Sequence, residues 1–165
     1  MSELHPWVVG AARGALPQWA VARKKRRAHM ERVAALLREW GEGRGDDPRD
    51  VERWAAVGYL HDVLRDADPD ELRVASSVPL DHLPDEVVHG PAAADRLRQG
   101  GVADEPLLAA IAFHTLGSPD FDDIGKALYV ADFLEPGRKL QPKWRTRLRN
   151  EMPEGLDAVA KAVRA

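Results

Sequence analysis

The chain has 165 residues, with 24 lysines and arginines against 27 aspartates and glutamates, and it contains no cysteine. This length predicts one domain that buries roughly 70% of its unfolded surface. The near balance of charge argues against a nucleic-acid-binding protein, and the lack of cysteine excludes disulfides, thiolate metal sites and cysteine nucleophiles. Any bound metal must therefore use nitrogen and oxygen ligands, which suits iron, manganese or zinc.

The first elements along the chain are a lead-in and a long helix. Residues 1–21, which are interrupted by glycine and proline, favour an extended or loosely helical lead-in. Apolar residues recur at helical spacing over 23–40, so this segment predicts a helix that ends at Gly41. The same spacing places His29 at the inward edge of that helix.

Three later helices are predicted to begin at an aspartate followed closely by proline. The starts are Asp47-Pro48, Asp68-Pro69 and Asp104-Glu105-Pro106. Aspartate is a preferred N-cap residue, and proline is tolerated in the first helical turn because its missing N–H has no partner there. The first of these helices carries the apolar stretch 51–60, and the third runs to His114.

The remaining pattern predicts an all-α, single-domain bundle. Residues 79–88 favour a loop or short helix, Pro91 starts a helix that runs to Gln99, and 122–134 forms a further helix. Glu135-Pro136-Gly137 ends the latter. We expect three regions: a lead-in at 1–21, the main helical domain at 22–140 and a C-terminal helical tail at 141–165.

No targeting or membrane segment is expected. The residues after Met1 lack the positive start and apolar region of a signal peptide, and the apolar run 107–113 is too short to span a bilayer. The expected location is therefore the cytoplasm.

The pair His61-Asp62, which follows the apolar stretch 51–60, carries the clearest functional signal. Burying an imidazole and a carboxylate costs several kcal/mol unless each is paired or coordinates a cation. Four further residues of ligand type are candidate partners: His29, His89, His114 and Asp132. Helices can bring such side chains to one interior point, and six ligands suffice for two metal ions if one carboxylate bridges them. Two adjacent ions can clamp the attacking and leaving oxygens of a phosphoryl transfer.

The order of these residues resembles the HD-domain metal phosphohydrolases. Three segments sharpen the resemblance to one branch, the YqeK-type symmetrical diadenosine tetraphosphatases, whose motifs read HGPxxA, HTTG and ADxxEPxR. They are residues 89–94 (HGPAAA), 114–117 (HTLG) and 131–138 (ADFLEPGR). The resemblance covers about residues 27–140, and this series of motifs is far more specific than an HD dipeptide alone.

The resemblance implies an all-α HD fold with the metal site at its centre, and it implies a reaction. Its metal ligands would be His29, His61, Asp62, His89, His114 and Asp132, holding a divalent metal, most simply two irons, with manganese or another transition metal as alternatives. A metal-bridged hydroxide would split diadenosine tetraphosphate into two ADP. Asp62 and Arg65 would act in catalysis, and the substrate contacts would come from Arg65, Thr115, Gly117 and Arg138.

Two residues differ from the family pattern. Arg65 stands where the family usually has lysine, and Leu116 replaces the second threonine of HTTG. Arginine keeps the positive charge but offers a planar fork rather than a point charge, so the two are not interchangeable. These differences bear on the substrate more than on metal binding.

Other functions stay open at this point. The same ligands suit an HD phosphohydrolase of another nucleotide, an HD-type di-iron oxygenase that activates oxygen, or a non-catalytic nucleotide-binding module. The expected partner is a nucleotide, with no nucleic acid and no membrane, and a homodimer is an open alternative to a monomer.

Several features have a simpler interpretation than function. The basic run 23–27 favours a solvated helix face over a polyphosphate-binding surface, because five consecutive residues circle the helix and cannot all point inward. His5 and His82 match no motif and are expected on the surface. Trp40 and Trp54 lie in periodic apolar faces, which predicts core packing.

Overall fold

A computed structural model describes residues 3–164, and these residues form nine helices and no strand. The helices are α1 (Pro6–Ala12), α2 (Lys24–Gly43), α3 (Pro48–Leu60), α4 (Pro69–Ala75), α5 (His89–Gln99), α6 (Glu105–Ala112), α7 (Asp123–Leu134), α8 (Pro142–Asn150) and α9 (Leu156–Arg164). The prediction of an all-α fold is therefore confirmed.

The helices α2 and α3 make the most extensive contact of any helix pair in the described residues. Gly58 of α3 lies against Ala34 of α2, and a Cβ atom added to Gly58 would stand only 2.5 Å from the Cα of Ala34. The two backbones approach this closely because glycine has no side chain. The crossing brings the His29 turn of α2 towards the end of α3, where His61 follows.

The predicted helix starts are confirmed in the structure. Asp47 and Asp68 accept hydrogen bonds from the backbone N–H groups of Arg49 and Asp70, each at 2.8 Å. Asp104 caps α6 in the same way. Each cap satisfies a backbone donor that has no partner within its helix, and it fixes where the helix begins.

Residues 1 and 2 of the predicted lead-in lie outside the described residues, and residues 3–21 are more regular than their glycine and proline content predicted. Residues 6–12 form α1, with His5 as N-cap: its Nδ1 accepts a hydrogen bond from Trp7 N–H at 3.0 Å. Val8 and Ala11 are buried, and α1 packs against α3. This burial stabilises a short helix that would be marginal alone. His5 is accordingly half-buried rather than a free surface residue, whereas His82 is exposed as expected.

Three helix boundaries differ from the pattern. The helix α6 ends at Ala112, so His114 follows the helix instead of lying within it, and its Nδ1 contacts Ile111 O. The helix α2 continues past Gly41 to Gly43, because Gly41 is buried beside Val51 of α3 and serves close packing instead of a C-cap. The helix α5 begins at His89, which leaves Pro91 within the first turn, where a missing N–H costs little.

The C-terminal helices α8 and α9 lie against α7. Leu156 and Val159 of α9 are buried. The buried guanidinium of Arg145 donates to the carbonyl oxygens of Phe133 and Leu140, so α8 holds the chain that follows α7. Within residues 3–164, none of the helices is both long and apolar enough to cross a lipid bilayer.

Candidate metal centre

Five helices bring the six predicted metal ligands together. His29 lies on α2, His61 and Asp62 directly follow α3, His89 begins α5, His114 follows α6, and Asp132 lies on α7. Their nitrogen and oxygen atoms form three overlapping groups, each spanning no more than 4.8 Å: His29, His61 and Asp62; His61, His114 and Asp132; and Asp62, His89 and His114. All are buried except Asp132, whose side chain is 21% exposed.

The two carboxylate oxygens of Asp62 face different pairs of histidines. Its Oδ2 lies 3.5 Å from Nε2 of both His29 and His61. Its Oδ1 lies 3.1 Å from Nε2 of His89 and 3.3 Å from Nε2 of His114. A carboxylate in this position can bridge two adjacent metal ions, one at each pair.

The second carboxylate belongs to the His29–His61 half of the cluster. Oδ1 of Asp132 lies 2.9 Å from Nε2 of His29 and 3.6 Å from Nε2 of His61. One half therefore offers two histidines and two carboxylates, and the other half offers two histidines and the shared Asp62. Such mixed nitrogen and oxygen sets suit divalent transition metals.

Hydrogen bonds to Nδ1 orient three of the four imidazoles. In each case Nδ1 contacts an oxygen: His61 with Gly58 O at 2.7 Å, His114 with Ile111 O at 2.8 Å, and His29 with Glu135 Oε1 at 3.0 Å. A neutral imidazole that donates from Nδ1 keeps a lone pair on Nε2. In that neutral form the three Nε2 lone pairs would point into the cluster, which is the arrangement that metal-ligating histidines adopt.

Buried polar atoms support the same interpretation. The Nε2 atoms of His29 and His61 are inaccessible to solvent, and neither makes a well-aligned hydrogen bond, although carboxylate oxygens of Asp62 and Asp132 lie 2.9–3.6 Å away. A buried polar atom without a partner is costly unless it coordinates a cation. The residues present therefore fit a divalent metal centre.

Contacts within the cluster raise the pKa of His61 and lower the pKa values of the two aspartates. Burial by itself would lower the pKa of His61, but the carboxylates of Asp62 and Asp132 raise this pKa to about 9. Burial would raise the pKa of Asp62, yet the charge of His61 and hydrogen bonds from His114 and His89 hold that pKa well below its usual range. Against the effect of burial, hydrogen bonds from His29 and His61 likewise lower the pKa of Asp132, so both aspartates are ionised at neutral pH, as a carboxylate ligand must be.

Glu135 is a site residue that the sequence analysis did not single out. Its carboxylate accepts hydrogen bonds from His29, from Nε of Arg32 at 2.7 Å and from Gly137 N–H. Burial opposes ionisation, but the hydrogen bonds from Arg32 and His29 lower the pKa of Glu135 to about 2. Its position three residues after Asp132, in the ADxxEPxR segment, was the available signal.

A pocket of about 450 Å³ opens onto the cluster. Arg65, Thr115 and Arg138, three of the four residues expected to contact substrate, line it. Gly117 does not: it turns the chain at a φ of +79° and lies against the ring of Tyr129.

Arg26 also lines this pocket, although the basic run 23–27 favoured a solvated face. The other four residues of that run are exposed, and only Arg26 turns inward. Arg26 precedes His29 by three residues, and residues three apart share one face of a helix. That spacing was the signal that could have found it.

The fold and the cluster define an all-helical protein whose buried histidines and aspartates fit a metal centre. Residues 26–137 match the HD domain family. The chain belongs to this family.

Three curated relatives carry the same name, symmetrical bis(5'-nucleosyl)-tetraphosphatase. The Halalkalibacterium halodurans protein is 30% identical over 111 residues, which are 62% of this chain and 59% of the relative. The Staphylococcus aureus protein is 30% identical over 123 residues, 71% of this chain and 62% of the relative. The Bacillus subtilis protein is 47% identical over 60 residues, 36% of this chain and 32% of the relative. The chain thus spans less than two thirds of the length of each.

A solved structure shares the fold. It is a predicted HD superfamily hydrolase, described as involved in NAD metabolism, from Clostridium acetobutylicum. Its TM-score is 0.70 at 22% identity, over 95% of this chain and 82% of that one.

Proposed function

We propose that this protein is a metal-dependent phosphohydrolase that splits diadenosine tetraphosphate, or a related dinucleoside polyphosphate, symmetrically into two nucleoside diphosphates. The observation that carries the proposal is the position of Asp62 between two histidine pairs, at the floor of a pocket that three arginines line. The names of the three curated relatives support the choice of substrate.

The proposed ligands are His29, His61, Asp62, His89, His114 and Asp132, holding two divalent ions, with iron first and manganese as the alternative. When bound, such ions lower the pKa of water and neutralise charge on phosphoryl oxygens. The protein's own contribution is to fix the ligands: Gly58 O, Ile111 O and Glu135 hold three imidazoles in orientation. Asp62 is both a ligand and the group that sets the spacing of the two halves.

The proposed reaction adds one water across the central P–O–P linkage. The water oxygen joins one of the two central phosphorus atoms, the bond from that phosphorus to the bridging oxygen breaks, and the second ADP leaves with the bridging oxygen. Protons released from water pass to solvent. Arg65 and Arg138 line the pocket, where their guanidinium groups can hold phosphoryl oxygens and offset the developing charge. Thr115 offers a hydroxyl at the same wall.

The test is product analysis with protein reconstituted with iron(II) or manganese. Diadenosine tetraphosphate should yield ADP as the sole product, and Asp62→Ala, prepared in the same way, should yield none. AMP plus ATP would mean asymmetric cleavage and would contradict the proposal. Turnover of mononucleotides alone would favour another HD phosphohydrolase, and oxygen consumption without phosphate or nucleotide release would favour oxygenase chemistry.

A further inference from the structure

Two arginines from distant parts of the chain each contact one of the candidate ligand carboxylates. Nη1 of Arg26, on α2, lies 3.3 Å from Oδ2 of Asp62. Nη2 of Arg138, after α7, lies 3.5 Å from Oδ1 of Asp132. Both of these oxygens belong to the His29–His61 half of the cluster, so the two guanidinium groups flank the same half of the pocket.

The donors of Arg26 are incompletely used. Its Nε is inaccessible to solvent and has no hydrogen-bond partner, and its nearest second carboxylate oxygen, Oδ1 of Asp66, is 3.9 Å away. Its remaining contact is with Oδ2 of Asp62, the oxygen that also faces His29 and His61. A cation held by those histidines would compete with the guanidinium for Oδ2 of Asp62 and weaken this contact.

Arg65 lines the same pocket as Arg26 and Arg138. Three guanidinium groups therefore face one cavity beside the cluster. Several positive charges at one cavity suit an anion that carries more than one phosphoryl group.

We infer that Arg26 is a substrate-binding residue: with metal bound, its guanidinium moves from Oδ2 of Asp62 to a phosphoryl group, which it holds together with Arg138. The inference rests on the proposed function and extends it to a residue of the basic run. Arginine suits this role because its planar fork matches phosphate geometry.

The structure also provides a matched control. Lys25 precedes Arg26 in the same helical turn, carries the same charge, is exposed and does not line the pocket. Lys25→Gln therefore removes the same long-range charge without removing a pocket donor. Arg26→Lys keeps the charge but removes the fork.

The experiment measures ADP binding by calorimetry to manganese-loaded wild type, Arg26→Gln, Arg26→Lys and Lys25→Gln, together with metal content. A charge-assisted hydrogen bond corresponds to roughly a 10-fold or greater loss of ADP affinity in Arg26→Gln. We expect partial recovery in Arg26→Lys and less than about a twofold change in Lys25→Gln. Metal affinity should be retained or should rise in Arg26→Gln, because a cation that competes for Asp62 has been removed.

Several outcomes would contradict the role inferred for Arg26. Unchanged ADP affinity in Arg26→Gln, absence of ADP binding in wild type, or an equal loss in Lys25→Gln overturns the inference. Loss of metal from Arg26→Gln overturns it as well, because Arg26 would then support the metal centre. Turnover of diadenosine tetraphosphate by wild type is measured on the same preparation. If it is absent while ADP binding still depends on Arg26, the proposed substrate fails and the role of Arg26 stands.

Discussion

Oε1 of Glu135 lies 3.0 Å from Nδ1 of His29, and this contact joins the loop after α7 to a candidate ligand on α2. Arg32 holds the same carboxylate from its other side and keeps it ionised. A carboxylate on Nδ1 fixes the tautomer of an imidazole and makes its Nε2 a better ligand. Glu135 therefore orients a candidate ligand in the His29–His61 half of the centre, but it is not itself a candidate metal ligand.

Removal of this carboxylate should weaken metal binding. We expect Glu135→Ala to lower the affinity for manganese or iron(II) by roughly 10–100-fold, because His29 loses the group that orients it. Calorimetric or competitive chelator titration measures the effect. Glu39→Ala removes an exposed glutamate from α2 and should bind metal as wild type does. Equal affinities for the two variants would show that Glu135 does not act on the metal centre.

The two aspartates should have unequal effects on metal stoichiometry. The carboxylate of Asp62 lies within 3.5 Å of the Nε2 atoms of all four histidines. The carboxylate of Asp132 lies within 3.6 Å of those of His29 and His61. If wild type binds about two ions, Asp62→Ala should bind none and Asp132→Ala about one, at the His89–His114 half. Elemental analysis of reconstituted protein gives the numbers, and far-ultraviolet circular dichroism should show that both variants keep their helices. Two ions in Asp62→Ala would rule out its bridging position.

Metal binding should release protons at neutral pH. The pKa of His61 in the metal-free cluster is raised to about 9, so its imidazole carries a proton at about pH 7.5, whereas a metal ligand must be neutral. Binding therefore displaces at least one proton. Calorimetry in buffers of different ionisation enthalpy should give different apparent enthalpies, for wild type and for the exposed-residue control His82→Gln alike. An enthalpy independent of buffer would contradict a protonated His61.

The raised pKa of His61 also predicts how the stability of the metal-free protein changes with pH. A histidine whose pKa rises from 6.5 in the unfolded chain to about 9 in the folded protein contributes stability that is fully present below about pH 6.5. That contribution is lost as the pH rises through about 9. The melting temperature of metal-free protein should accordingly fall over this window, as scanning calorimetry would measure.

Much of this organisation could be predicted from local signals. Asp47 and Asp68 mark helix starts because capping depends only on neighbouring residues. His61 and Asp62 attract attention because polar ligand types end an apolar stretch, and the structure brings them together with the other four predicted ligands.

What the sequence did not reveal depends on contacts between distant residues. Glycine is typical of a helix end, but α2 continues past Gly41 because Gly41 packs against α3. Arg26 looks like its four basic neighbours, and only the position of Asp62 distinguishes it. The helix α1 is stabilised by burial against α3, which the periodicity of a short segment does not show.

The contact between Gly58 and Ala34 ties the stability of the fold to the geometry of the metal centre. In Gly58→Ala the new Cβ would lie 2.5 Å from the Cα and 2.9 Å from the Cβ of Ala34, so α2 and α3 must separate. We expect a loss of about 1–3 kcal/mol in unfolding free energy, which denaturant titration measures. Metal affinity should fall as well, because His29 lies on one of the two helices and His61 directly follows the other. Gly41→Ala is the matched control: its nearest neighbour would be Cγ2 of Val51 at 3.4 Å, and alanine favours the helix, so its stability should match or exceed that of wild type. If Gly58→Ala keeps the wild-type stability but binds metal more weakly, the two helices separate only beside the metal centre. If both its stability and its metal affinity match those of wild type, the close approach is not required.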